Sequence, residues 1–309
     1  MGVRRIGRTL LPFMACAVLG GCGGKDAPPA GGKVIGVTLM TQTNDFFKDL
    51  EAGLREEALR RGYRLIVQSA QNDPAAQARQ LEDFVTQRVD AVVVNPCNSD
   101  TIASSLRVVT DAKIPIFTAD IAAKGATVVS HVASDNVQGG RLAGEEMARL
   151  LGGKGEVLVI DHPTVSSVQD RTRGFEEALR AFPGITIVAK PSGEGQRAKA
   201  QAAMEDALTT HPDLAGVFGI NDNSALGALR AVEARGKTGI AIIGYDAIPE
   251  AQTAIRAGGA LKADVVQYPK RIGATTIATI ARYFAGEKVP SVQPVDVGLV
   301  TKTSLSDAK

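Results

Sequence analysis

Val34-Ile35-Gly36-Val37-Thr38-Leu39 runs through Met40-Thr41-Gln42-Thr43 into Asn44-Asp45-Phe46-Phe47. A short apolar run bounded by polar turn residues reads as a buried strand. Beyond it Leu50, Leu54, Ala58 and Leu59 recur at helical spacing, so Asn44 to Phe47 stand where a strand hands over to a helix. In an open α/β sheet, ligands bind outside the carboxyl ends of the strands. Two readings of this corner follow. Either a phenylalanine belongs to the core and Asn44 or Asp45 caps the helix, or the rings and the amide face a ligand.

Outward from that corner, short apolar runs alternate with amphipathic stretches. Strands are predicted at Tyr63–Gln68, Ala91–Asn95, Ile114–Ala119, Thr127–Val132, Glu156–Asp161, Thr186–Ala189, Gly216–Ile220, Ile240–Tyr245 and Leu261–Gln267. Helical patterns between them include Ala75–Gln87, Gly140–Leu151, Val168–Ala181, Ala198–Thr210 and Ser224–Arg235. Such alternation means βαβ units and a mainly parallel sheet, an α/β fold. The chain also echoes itself. Gly53-Leu54-Arg55-Glu56-Glu57-Ala58-Leu59-Arg60 returns as Gly174-Phe175-Glu176-Glu177-Ala178-Leu179-Arg180, each ahead of an apolar run. A repeat this long is no solenoid period; it reads as two copies of one α/β lobe.

The first residues are an export segment. Arg4, Arg5 and Arg8 precede an apolar span from Leu10 to Leu19, too short for a membrane-spanning helix. It closes on Leu19-Gly20-Gly21-Cys22, which resembles the lipobox of bacterial lipoproteins and makes Cys22 the expected lipidation site, residues 1–21 being removed. Gly23 follows the cysteine, not the aspartate linked with inner-membrane retention, so outer-membrane anchoring is allowed. Residues 22–32, rich in Gly, Pro and Ala, read as a flexible tether with a span of roughly 17 Å. The formal charge of +2 falls below zero once those arginines leave, so no global field favours nucleic acid. Of the three cysteines only Cys97 lies in the body, so an exported fold relies on its core and not on an internal disulfide. What remains after the tether is long enough for two domains.

Strand ends deliver a consistent set of side chains: Asn44, Phe46 and Phe47, then Asn95, Asp120, Asn221, Tyr245, Asp246 and Gln267, with Arg171 early in a helix. Singly, Asp120, Asn221 and Asp246 read as caps or turn formers. Jointly they gather amides, carboxylates, a guanidinium and aromatic rings at one edge. A sugar hydroxyl both donates and accepts, which suits Asp, Asn, Gln and Arg, while the apolar C–H face of a sugar ring suits Phe and Tyr. Enzyme classes find little support. The turn after the first strand has no glycine for a dinucleotide phosphate, no G-x-S-x-G elbow occurs, and His131, His162 and His211 lack metal-ligand spacing. No cofactor is expected.

At these residues the chain resembles the ribose-binding branch of the periplasmic sugar-binding proteins, over nearly all of Lys33 to Thr303. The matching stretches include Asn44-Asp45-Phe46-Phe47, Asn95-Pro96, Ser130-His131-Val132-Ala133-Ser134-Asp135-Asn136, Asn221-Asp222, Ala225-Leu226-Gly227-Ala228-Leu229-Arg230 and Gly244-Tyr245-Asp246. The resemblance implies two Rossmann-like lobes with parallel sheets, joined by three chain crossovers and closing on one sugar or polyol. It implies a monomer that delivers its ligand to an ABC permease, anchored through Cys22 in the periplasm or at the cell surface. The lobes are then 33–134 with 268–296, and 135–267 with 297–309. Carried over, the ligand set is Asn44, Phe46, Phe47, Asp120, Arg171, Asn221, Tyr245, Asp246 and Gln267, with Asn95 and Ile121 as further candidates.

Two departures bear on specificity. Ile121 stands where the ribose binders carry a sugar-bonding arginine, and Ser192-Gly193-Glu194-Gly195-Gln196 lacks the aromatic they place there. A branched alkyl group cannot meet the hydroxyls a guanidinium fork meets. The expected ligand is therefore not ribose but a sugar or polyol that lacks a hydroxyl at that edge, or carries an apolar or larger group there. Two other roles use the same core: a sensor presenting its closed state to a receptor, and a regulator of the LacI type. The latter needs an N-terminal DNA-binding module where this chain has an export signal.

Overall fold

The computed structural model describes residues 1–3 and 32–307. Most of the export segment, Cys22 and the tether up to residue 31 lie outside the described residues. The described chain runs β1 (Val34–Leu39), α1 (Asp45–Arg60), β2 (Arg64–Ser69), α2 (Pro74–Thr86), β3 (Ala91–Val94), α3 (Ile102–Asp111), β4 (Ile116–Ala119) and β5 (Ser130–Ser134). It continues through α4 (Asn136–Leu151), β6 (Lys154–Ile160), α5 (Ser166–Leu179), β7 (Gly184–Ala189), α6 (Arg197–Thr210), β8 (Leu214–Gly219), α7 (Asp222–Ala234), β9 (Ala241–Asp246), α8 (Pro249–Ala257) and β10 (Leu261–Val266). Then follow α9 (Pro269–Phe284), β11 (Val292–Val295), β12 (Gly298–Thr301) and α10 (Lys302–Asp307).

Among the described residues twelve strands form two sheets, in the orders β11-β5-β4-β3-β1-β2 and β12-β10-β9-β8-β6-β7. The first is parallel throughout; in the second only β12 runs antiparallel to its neighbour. The two orders are one pattern used twice, so the sequence echo is a repeat of topology. Parallel sheets are covered on both faces, which demands near-continuous apolar strands. The inner strands Ala91–Val94 and Ala241–Asp246 are buried at every residue, whereas β2 at an edge is only half-buried.

The chain passes between the sheets three times: from β5 into α4, from β10 into α9, and from β11 to β12. Helix α9 packs on α1 of the first sheet, and α4 on α5 of the second. Strands β11 and β12 escaped the sequence reading for a physical reason. Pro294 interrupts Val292-Gln293-Pro294-Val295, and proline removes a ladder donor. Strand β11 tolerates it because it lies at the sheet edge.

Candidate functional site

Between the carboxyl ends of the two sheets lies a cavity of about 380 Å³. The first sheet contributes Met40, Asn44, Phe46 and Phe47 after β1, with Asp120 and Ile121 after β4. The second contributes His162 after β6, Val165, Val168 and Arg171 at the start of α5, Asn221 after β8 and Asp246 at the end of β9. Glu194, Gln196 and Arg197 close a further side.

The aromatic corner is preformed. Phe46 and Phe47 meet edge to face, with ring centres 5.3 Å apart and planes at 89°. Asn44 is the helix cap, its Oδ1 accepting the Phe46 N–H at 2.9 Å. Of the two residues that could cap the helix, Asp45 does not: it is already helical, and its carboxylate pairs with Lys48 at 2.7 Å on the surface. Capping consumes only the Asn44 oxygen. The amide nitrogen is free of the cap, so one asparagine serves both readings of this corner.

Arg171 dominates the opposite wall. Its guanidinium lies over the Tyr245 ring, 3.9 Å from the centroid. Nε donates to Asn136 Oδ1 and Nη1 to the Ile220 carbonyl, both at 2.8 Å. Stacking and two hydrogen bonds fix a planar fork that a lysine could not reproduce. Asp120 presents a different case. Its Oδ2 accepts from Asn95 Nδ2 at 3.3 Å, while Oδ1 is buried with no partner among the described residues. Burial pushes its carboxyl up to about 6 despite the opposing field of Arg171. Asp246, whose Oδ1 accepts from Gln267 Nε2 at 2.7 Å, is raised well above the usual carboxylate range, again by burial against Arg171. An orphaned carboxylate oxygen beside a cavity asks for a donor, and a ligand hydroxyl is one.

Of the sequence-derived set, the fold brings Asn44, Phe46, Phe47, Asp120, Ile121, Arg171, Asn221 and Asp246 to the cavity. Tyr245, Gln267 and Asn95 do not line it. The Tyr245 ring is wholly buried and supports Arg171 from below; its hydroxyl donates to Asn136 Oδ1 at 3.3 Å. It is therefore not a ring facing the phenylalanines across the cavity. Asn95 ties β1 to β4, accepting from the Met40 N–H and donating to the Ala119 carbonyl. Gln267 holds Asp246. Asn221 caps α7 through Oδ1 and donates Nδ2 to the Gly195 carbonyl at 3.2 Å, anchoring the 193–196 loop.

His162, Glu194, Gln196 and Arg197 were missed. His162 directly follows the strand-end Asp161, so its place in the sequence carries the same strand-end signal as Asn221 and Asp246. Burial lowers its imidazole below the usual value, keeping it neutral at pH 7. His131, in contrast, bonds Thr118 within the first sheet, 2.9 Å from its hydroxyl, and is pushed down to about 4 by burial. Among the described residues no acidic, histidine and cysteine cluster could hold a metal ion.

The walls also bond to each other. Ser166 N–H donates to Ser99 Oγ at 2.9 Å, Ala122 N–H to Ser166 Oγ at 2.8 Å, and Ser99 N–H to the Thr164 carbonyl at 2.9 Å. Lys124 reaches Gln169 beside them. The loops after β3 and β4 thus latch onto the start of α5.

Two repeated α/β sheets, three crossovers and a polar cavity between their carboxyl edges define a two-lobed ligand-binding protein. The chain belongs to the periplasmic binding protein family, whose domain model matches residues 35–288. It is 35% identical over 269 residues to the ribose import binding protein of Salmonella typhimurium, covering 87% of this chain and 90% of that one. Among solved structures, an ABC transporter solute-binding protein from Mycobacterium smegmatis with bound glycerol superposes with a TM-score of 0.85 at 32% identity, over 90% of this chain and 96% of that one. One from Bacillus halodurans with bound myo-inositol gives 0.83 at 30% identity, over 91% and 98%.

Proposed function

We propose that the chain is the extracytoplasmic solute-binding protein of an ABC importer and takes one monosaccharide or polyol into the cavity. The observation that carries this reading is the lining itself: a fixed guanidinium, two buried carboxyls and two amides facing a pair of phenylalanines. Relatives named for ribose, xylitol and D-apiose support the ligand class. Asn44, Asp120, Arg171, Asn221 and Asp246 are the hydroxyl partners, and Phe46 and Phe47 receive the C–H face. Tyr245, Gln267 and Asn95 act behind them. Ile121, fully buried beside Val165 and Val168, makes one corner apolar. A ligand with a methyl, a methylene or no hydroxyl at that corner fits it, and ribose does not.

The lobes are 33–134 with 268–296, and 135–267 with 297–309, so the hinge is the three crossovers near Ser134-Asp135, Gln267-Tyr268 and Asp296-Val297. Hinge opening would break the Ser99–Ser166 latch, and ligand would favour the closed form. The body acts as a monomer, held to the membrane by a lipid on Cys22. Labelling with a lipid precursor, abolished in Cys22→Ala, tests the anchor. Mass spectrometry of small molecules released from purified, denatured protein tests the ligand class. A sugar or polyol is expected, and an amino acid or nucleotide would overturn the reading.

A further inference from the structure

Behind Asp246 lies a second carboxyl pair, neither member of which lines the cavity itself. Asp222 opens α7 and Asp264 sits within β10; both are buried, at 1% and 0% exposure. Asp222 Oδ2 accepts the Ile248 N–H at 2.7 Å, and Asp264 Oδ1 accepts the Ala247 N–H at 3.0 Å. That leaves Asp222 Oδ1 and Asp264 Oδ2, and these two oxygens are buried without a partner among the described residues. They converge on one point. A Cβ built on Gly244 would stand 2.5 Å from Asp264 Oδ2 and 2.8 Å from Asp222 Oδ1.

Two ionised carboxylates cannot share such a place without a cation or a proton. The charged groups facing the pair are Asp246 on β9, which adds to the repulsion, and Arg197 on α6. The Arg197 fork is committed to Glu250, with both bonds at 2.8 Å. Meanwhile the loop the pair holds is strained. Asp246 has φ 122° and Ala247 φ 57°, both in the left-handed region that L residues avoid. Such a conformation is unfavourable and persists only when its surroundings over-determine it.

We propose that Asp222 and Asp264 share a proton between Oδ1 of one and Oδ2 of the other, and that this carboxyl pair is the clamp that positions Asp246 at the cavity. Asp222 and Asp264 are then positioning residues for the ligand site, and Gly244 is the glycine that leaves room for their bond. Burial raises both groups, Asp264 to about 7 with the Asp246 charge adding to it, and Asp222 well above its ordinary value with the Asp264 charge adding to it. The pair therefore keeps at least one proton through neutral pH, its titration belonging to both members together.

The functional consequence rests on Asp246 being a ligand contact, but the test needs no ligand, so the two readings fail separately. Infrared spectra of the ligand-free chain at pH 8 should contain a protonated-carboxyl C=O component that Asp222→Asn and Asp264→Asn each remove and Asp246→Asn leaves. Hydrogen exchange at the Ala247 and Ile248 amides should speed up at least about tenfold in Asp264→Ala. Asp264→Asn, whose amide supplies the missing donor, should restore protection to within about twofold. No protonated-carboxyl band at pH 8 overturns the proposal. So does a band indifferent to both single asparagine variants, or equal exchange in the alanine and asparagine variants. Should Asp264→Ala fail to fold, Gly244→Ala, which wedges the two oxygens apart, replaces it in the exchange arm with the same expectation.

Discussion

The two walls of the cavity are built from one repeated lobe pattern and yet do opposite work. The wall from the first sheet carries the rings and the shape: Met40, Phe46, Phe47 and Ile121, among the polar Thr41, Thr43, Asn44, Asn72 and Asp120 and without a cation. The wall from the second sheet, apart from Val165, Val168 and Ile220, carries the charge: Arg171 and Asp246 with Asn221 beside them, backed by Asn136, Tyr245, Gln267 and the Asp222–Asp264 pair. Apolar groups need only neighbours, so the first wall takes its rings from one helix start. Buried charges need partners on every side, so the second wall draws on α4, α5, β8, β9 and β10 together. A shape wall can change ligand by single substitutions, whereas a charge wall changes only as a unit.

The largest effect should come from the charge wall. Arg171→Ala removes the cation facing Asp120 and Asp246 and empties the space over Tyr245. Denaturant unfolding should register a loss of about 3 kcal/mol or more, and calorimetry no detectable ligand binding. Arg171→Lys should recover little of either, because an ammonium cannot make the same directed contacts. Phe47→Ala comes next. A buried ring removed from the shape wall should cost about 3 kcal/mol of stability, with binding weakened but still measurable and the ranking of ligands shifted. An unchanged ranking would erase the proposed division between the walls.

Ile121→Arg should change preference more than stability. A guanidinium at that corner supplies charged hydrogen bonds contributing about 1.5–3 kcal/mol when well placed, so ribose binding should appear or strengthen roughly tenfold or more. A variant that folds and still ignores ribose would remove Ile121 as the cause of its exclusion. The smallest effect is a pH slope. Asp120 titrates at about 6 in the ligand-free fold, above its ordinary value. The fold thus holds an extra proton between about pH 4 and 6, and stability from this group falls as pH rises through that window. Ligand hydroxyls donate to the ionised form, so affinity should rise up to tenfold from pH 5 to 7 in buffer-matched calorimetry. Asp120→Asn should flatten the slope.

How far the sequence carried follows the same division. Buried strands and amphipathic helices announce themselves by period, so both sheets were legible through β10, as was the strand-end clustering of Asn44, Asp120, Asn221 and Asp246. What failed was tertiary. The reading of Tyr245 as an open aromatic wall rested on its strand-end position, but Arg171 crosses over its ring. A side chain at Gly139 would overlap the Tyr245 hydroxyl, so the packing that buries Tyr245 depends on a glycine far away in the chain. Asp222 and Asp264 carry no local signal either, since each reads alone as a helix start or a stray charge in a strand. Their meaning appears only when both oxygens meet over Gly244.

Calorimetric titration of the wild type and Arg171→Ala with a panel of pentoses, hexoses, deoxy sugars and polyols tests the central claim most directly. The account predicts tight binding of at least one member other than ribose to the wild type, and none to the variant. Tight ribose binding by the wild type, no binding to any member, or binding that survives loss of Arg171 would contradict it.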